Sequence, residues 1–344
     1  MTFQKSLILV SLLSVCLIIA LEVHLHCARV TAANLEQVVP PAPYFPTGSP
    51  WTEDISKAPI DPQSQNIIGW LADNGGWGHG KMQVDFSIRV LNANEGTPTV
   101  PFRPGDQFYM PDSDSIKTIP LPPGGGIEGE GATGYECNTD ENDCHLIVVD
   151  RSKGKLYEAY QAKLVKNAIT ATFVGVWDLN RVYPASGRGE QCTSADAAGF
   201  PIAPLLFNAD EIATGSINHA IRFILPNPRI RAGVYVHPAS HAGAPRGSAN
   251  APPYGARLRL KPSFDLSQLN PRARVVARAM QKYGILLADG GNIALTAQND
   301  TDTQAKYDEV GFGSRDLQSL KVTDFEVINF GTPVAITNNC VRNK

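Results

Sequence analysis

Residues 82–91 alternate with a period of two: Val84, Phe86, Ile88 and Val90 fall on one face, and Gln83, Asp85, Ser87 and Arg89 on the other. This pattern predicts a strand with one face on a core and one toward solvent. Further strands are expected at 145–150, 155–165, 169–177, 217–225, 254–261, 285–288 and 325–330, from their Val, Ile, Thr and aromatic content. The pair 155–165 and 169–177 makes a hairpin or consecutive strands. One helix stands out, in which Asn270 caps, Pro271 opens the first turn, Val275, Val276, Ala279, Met280 and Tyr283 form an apolar stripe, and Gly284 ends it. A short helical turn is expected near 317–320. The stretches TPTVPFRPGD and LPPGGGIEGEGATG exclude long helices and require turns. No repeat of fixed period is present, which argues against a propeller or solenoid. The expected fold is mainly β, an antiparallel β-sandwich or jelly-roll-like architecture with one or two short helices. A parallel α/β fold is the second choice, and the alternating helices it needs are not found.

The first residues follow a different pattern: Lys5, an apolar run over 7–21, then Val30-Thr31-Ala32-Ala33. This is the form of a secretory signal peptide, read at 1–33. The apolar run is too short for a membrane span, and Cys16 and Cys27 lack a lipoprotein cleavage context. A Pro-rich extended lead-in follows at 34–65, with PPAPYFPTGSPW at its centre, and 66–344 is read as a single β-rich domain or two packed β subdomains. Of 344 residues, 30 are basic and 33 acidic, for a net charge of −3. Without a basic stripe, neither nucleic acid nor, once the leader is removed, a membrane is an expected partner, and a neutral ligand suits the balance. Beyond the leader four cysteines remain, Cys137, Cys144, Cys192 and Cys340. An even number in an exported chain predicts two disulfides among three connectivities. Cys137 with Cys144 would staple a polar loop, and Cys192 with Cys340 would tie the C-terminal tail to the middle of the chain. Their spacing does not suit zinc.

The segments HLIVVDRSKGKLYEAYQA, CTSADAAGFPIAPLLFNADEIATGSINHAIRF, YVHPASH, PPYGARLRLKPSFDLSQLNPRARVVARAMQKYGILLAD and LKVTDFEVIN resemble a group of exported, mostly uncharacterised microbial proteins. The resemblance covers about 61–329. In that group the matching segments read approximately HVLVVDRD, WTSADAAGLPI, HALRFT, YVWPARH, RLKASFDI and ALKKYGMIVADNGS. Its members often occur beside carbohydrate-binding modules, which implies a polysaccharide or oligosaccharide partner. The chain departs from the group at Cys192 and His237, where tryptophans are usual, and at Gly290-Gly291-Asn292, where the group has Asn-Gly-Ser.

Candidate chemistry concentrates between Cys192 and His241. Asp196, in the Ser-Ala-Asp-Ala-Ala-Gly turn, and Glu211 are the carboxylates chosen as acid and base or nucleophile, because glycosidic hydrolysis takes two acids placed across one bond. His219, on the face of a predicted strand, and His241, in a strand-end loop, are expected to tune them or to bind substrate. Trp77, His79, His237, Glu158 and Asp289 are secondary substrate-binding candidates, Trp77 and His79 because GGWGHG reads as an exposed loop. The alternative for each is structural: a capping Asp, a buried hydrogen-bonded His, a core Trp. Ser194 and Ser240 suggest a triad only weakly, since no nucleophile elbow frames them. Neither a metal nor a cofactor is called for. The expectation is a secreted glycoside hydrolase. A non-catalytic lectin-like protein or a surface structural protein is the alternative.

Overall fold

The computed structural model describes residues 38–39, 41–129, 134–137 and 143–343; the leader read at 1–33 lies outside them. The core is built on three stacked sheets. The largest has six strands in the order Val84–Ile88, Leu295–Gln298, Ile221–Leu225, Ile285–Gly290, Arg257–Leu260, Phe325–Val327. A second runs Val90–Ala93, His145–Asp150, Lys155–Tyr160, Phe173–Asp178, and a third Thr118–Pro120, Thr99–Pro104, Ala168–Ala171, Lys163–Val165.

The second sheet is the middle layer. Ile147, Val149, Leu156 and Trp177 on one face join the main core with the six-stranded sheet. Leu146, Val148, Ala159 and Val174 on the other join a smaller core with Phe102, Ile119 and Ile169 of the third sheet. Burial on both faces explains why 146–149 is a continuous apolar run and not an alternating one.

The chain is mainly β, as expected, but its sheets are mixed and not purely antiparallel. Parallel ladders join Val84–Ile88 to Leu295–Gln298, Ile221–Leu225 to Ile285–Gly290, Val90–Ala93 to His145–Asp150, and Thr99–Pro104 to Ala168–Ala171. Parallel neighbours need a crossover, and helix Pro271–Lys282 lies in the chain between Ile221–Leu225 and Ile285–Gly290. That helix starts as predicted, with the Asn270 side chain accepting from the Arg272 and Ala273 amides. Helices Ser64–Asp73, Ala209–Thr214 and Tyr307–Val310 go beyond the sequence expectation, and 317–320 forms turns.

Other expectations shift. The alternation over 82–91 is divided between two sheets, because the chain changes layer at Arg89, a buried cation whose Nε lies 2.5 Å from Asp302 Oδ2. Residues 217–220 precede the strand that begins at Ile221, so His219 sits at its mouth and not on its face. The Pro-rich segment has little regular structure, yet Phe45, Trp51 and Ile55 are 4%, 1% and 2% exposed, which makes it part of the core and not a spacer. The disulfides are Cys137–Cys144 and Cys192–Cys340. Among the described residues no helix is long and apolar enough to cross a membrane.

One buried acid ties the layers. Glu158 faces the main core from the middle sheet; its Oε1 accepts from the Ile202 and Ala203 amides at 2.8 and 2.9 Å and its Oε2 from Trp177 Nε1 at 3.1 Å. Glu158→Ala strands three buried donors and is expected to cost about 3–5 kcal/mol, measured by urea denaturation. Glu158→Gln, which keeps an oxygen for the two amides, should cost clearly less.

Candidate functional site

A cavity of about 620 Å³ opens where the middle sheet meets the end of strand Ile285–Gly290. Asp289 lines it from that strand, Tyr160 from the middle sheet, Asp143 from the segment before His145, and Tyr109, Ala195 and His241 from loops. A β-bulge shapes its floor: Phe223 pairs with Leu287, Ile224 pairs with Asp289, and Ala288 is the extra residue. Bulges commonly re-aim side chains beside sites. Here the Ala288 carbonyl accepts from Ala198 N at 2.9 Å and ties the 192–199 loop to the sheet.

Arg222, on the adjacent strand, lies beneath the cavity. Its Nη1 donates to Thr296 Oγ1 at 2.7 Å, and its Nη2 reaches Asp196 Oδ1 at 2.5 Å and Asp289 Oδ2 at 3.5 Å. One nitrogen thus fixes two carboxyls. Their oxygens on that nitrogen lie no more than about 6 Å apart. The Asp196 side chain is 0% exposed and that of Asp289 33%, so Asp289 meets the cavity and Asp196 stands behind it. Burial pushes the Asp196 carboxyl up to about 7, with Arg222 opposing and Asp289 adding to the rise. Burial also raises Asp289, again opposed by Arg222, and Asp143 raises it further.

Two histidines hold the loop between them. His145 Nδ1 lies 2.5 Å from Glu128 Oε2 and its Nε2 3.0 Å from the Ala195 carbonyl. Each ring nitrogen faces an acceptor, so the ring is an imidazolium. Burial alone would lower its pKa, and the Glu128 carboxylate overrides that effect and holds it up to about 9. The second ring is that of His241. Its Nδ1 donates to the Ala197 carbonyl at 2.9 Å, which leaves Nε2 with its lone pair, and burial lowers its pKa.

The expected residues are dispersed. Asp196, Asp289 and His241 gather at this cavity, whereas Glu211 and His219 line a separate one of about 280 Å³ with Tyr44, Phe45 and Trp51. Asp196 and Glu211 therefore do not form a pair across one bond. Glu211 is the third residue of helix Ala209–Thr214: Asn208 caps the helix, Glu211 Oε2 accepts from Asn208 N at 3.1 Å, and Oε1 lies 3.1 Å from His219 Nε2. Trp77 is 1% exposed and donates to the Leu320 carbonyl, so it is a core residue. His79 is exposed and does not line the cavity, Glu158 is buried, and His237 pairs with Glu190 at 3.1 Å beside another surface hollow. Ser194 donates to the Phe200 carbonyl and Ser240 to that of Cys192, so both hydroxyls serve the loop. Sequence reasoning misses Arg222, His145, Glu128 and Asp143. For Arg222, His145 and Asp143 the signal is an ionisable group inside or beside an apolar run, which demands a partner; Glu128, in a glycine-rich stretch, carries no such signal.

Because the folded chain holds the Asp196 proton more tightly than an unfolded chain, the stability from this group is present at low pH and is lost as pH rises from 3.8 to about 7. Asp196→Asn should remove that contribution, up to about 1.4 kcal/mol per pH unit, from the stability profile between those values. Denaturant melts at successive pH values check it, and an unchanged slope would count against a protonated Asp196. No protein-family model, curated protein or solved structure matches the chain, and its chemistry is read from the cavity itself.

Proposed function

We propose that this cavity is the active site of an exported carbohydrate-active hydrolase that cleaves a neutral polysaccharide or oligosaccharide. The observation that carries the reading is Asp289, a carboxyl held above its ordinary pKa at the cavity surface, with Asp143 lining the same cavity. Asp289 donates its proton to the glycosidic oxygen as the bond to the anomeric carbon breaks. Asp143 assists the attacking water by taking its proton, and Asp196 with Arg222 positions Asp289. The pairing thus moves from Asp196 with Glu211 to Asp289 with Asp143.

The lining supports a neutral sugar. Among the described residues it holds Asp112, Asp143 and Asp289 and no Lys or Arg, which disfavours anionic chains. Tyr109 and Tyr160 offer flat apolar faces among polar side chains, the combination that suits a sugar ring. Two disulfides fit an oxidising compartment, and the resemblance to exported proteins found beside carbohydrate-binding modules points the same way.

The test is incubation of the purified mature chain with plant, fungal and bacterial polysaccharides, reading new reducing ends. Asp289→Asn is expected to lower turnover by about 10²–10⁴-fold with glycan binding retained. Glycan binding without any new reducing ends from the unaltered chain would replace this reading with a lectin-like one.

A further inference from the structure

We infer that the C-terminal tail is the specificity wall of this cavity, and that Asn338 is the side chain with which it meets the substrate. The inference rests on the reading of the cavity as a substrate site.

The tail is fastened on both sides of Asn338. Before it, Val334–Ala335 pairs with Val234–Tyr235, and the Gln191 side chain donates to the Ala335 carbonyl at 2.9 Å and accepts from Thr337 N at 2.8 Å. After it, Cys340 is bonded to Cys192, and Val341–Arg342 pairs with Gly189–Glu190. Arg342 Nη2 reaches Asp114 Oδ1 at 2.6 Å, and Asn343 N donates to the Arg188 carbonyl at 2.9 Å. The approach at Gly189 is so close that a Cβ there would sit 2.2 Å from the Val341 carbonyl oxygen.

Before Asn338 the tail packs on the main core through partly buried Val334 and Ile336. After it the attachments bury little apolar surface, since Val341 is 66% exposed and Asn339 is exposed. The attachments instead fix one short span, and Asn338, within it, lines the cavity. Its φ of 57° is a left-handed conformation that asparagine tolerates better than most residues. Gln191 and Thr193 on either side of Cys192 also line the cavity, so the disulfide joins two of its walls. An amide offers a donor and an acceptor together, which matches adjacent hydroxyls on a sugar ring.

Two variants of the full mature chain test this. Asn338→Gly removes the side chain and accepts the left-handed backbone, and Asn338→Trp adds bulk at the rim. Access is read without any substrate, by acylating His241 with diethyl pyrocarbonate at fixed pH and comparing it with exposed His79 by mass spectrometry. His241 should react faster than in the unaltered chain in Asn338→Gly and more slowly in Asn338→Trp. On a polysaccharide that the unaltered chain cleaves, Asn338→Gly should raise KM about fivefold, the loss of one hydrogen bond, with kcat little changed. Unchanged His241 reactivity in both variants, or an unchanged KM, overturns the inference while leaving the hydrolase reading intact. If the unaltered chain cleaves nothing, the hydrolase reading fails, and the acylation rates alone decide whether the tail is a wall of the cavity.

Discussion

Removing a guanidinium from water costs several kcal/mol, recovered only where its donors meet well-placed acceptors, and at Arg222 that requirement organises the site. The residue lies in the interior of the six-stranded sheet and meets Thr296, Asp196 and Asp289. Those contacts draw the 192–199 loop onto the sheet, and successive residues of the loop are then held separately. The Ala195 carbonyl meets His145, the Asp196 side chain meets Arg222, the Ala197 carbonyl meets His241, and the Ala198 amide meets Ala288. A loop held at four consecutive residues by four different partners is a rigid cavity wall, the kind of support that precise chemistry requires.

The same packing explains why a proton is retained there. Arg222 and the His145 imidazolium bring positive charge, and Glu128 is paired with His145. Asp196 and Asp289 share what remains. Full ionisation of both, with Asp143 adding its charge from the surface, would place like charges together in a region of poor solvation, so holding a proton on the buried carboxyls relieves repulsion. Asp289 raises Asp196 for this reason, Asp143 raises Asp289, and it is Asp289, at the cavity surface, that can deliver its proton to a ligand.

Local signals make part of this legible. The helix at Pro271–Lys282 carries its own cap and stripe, and the strand at His145–Asp150 its own apolar run. Helix Ser64–Asp73 has no side-chain cap and contains Gly69; it is fixed by packing against Phe325–Val327, which no local pattern encodes. The break at Arg89 depends on Asp302, far along the chain. At the site, Asp196, Asp289 and His241 are visible as polar residues in turns and strand ends. Arg222 is not, because alternation along its strand assigns it a solvent face, and only the neighbouring layers turn that face into a buried one. The chemistry is therefore readable as residue types, and their grouping is not.

The proposed chemistry is assigned to Asp289 and not to Glu211 because of what each has left to offer. Glu211 gives one oxygen to its helix cap and the other to His219, and the His219 ring in turn meets the Ala220 carbonyl with its second nitrogen. Every strong donor and acceptor of that pair is engaged within the protein. Asp289 gives Oδ1 to the Gly290 amide and holds Oδ2 at a long 3.5 Å from Arg222, with a third of its side chain exposed to the cavity. A group that is fully satisfied stabilises the fold, and one that is positioned but incompletely satisfied is available to a substrate.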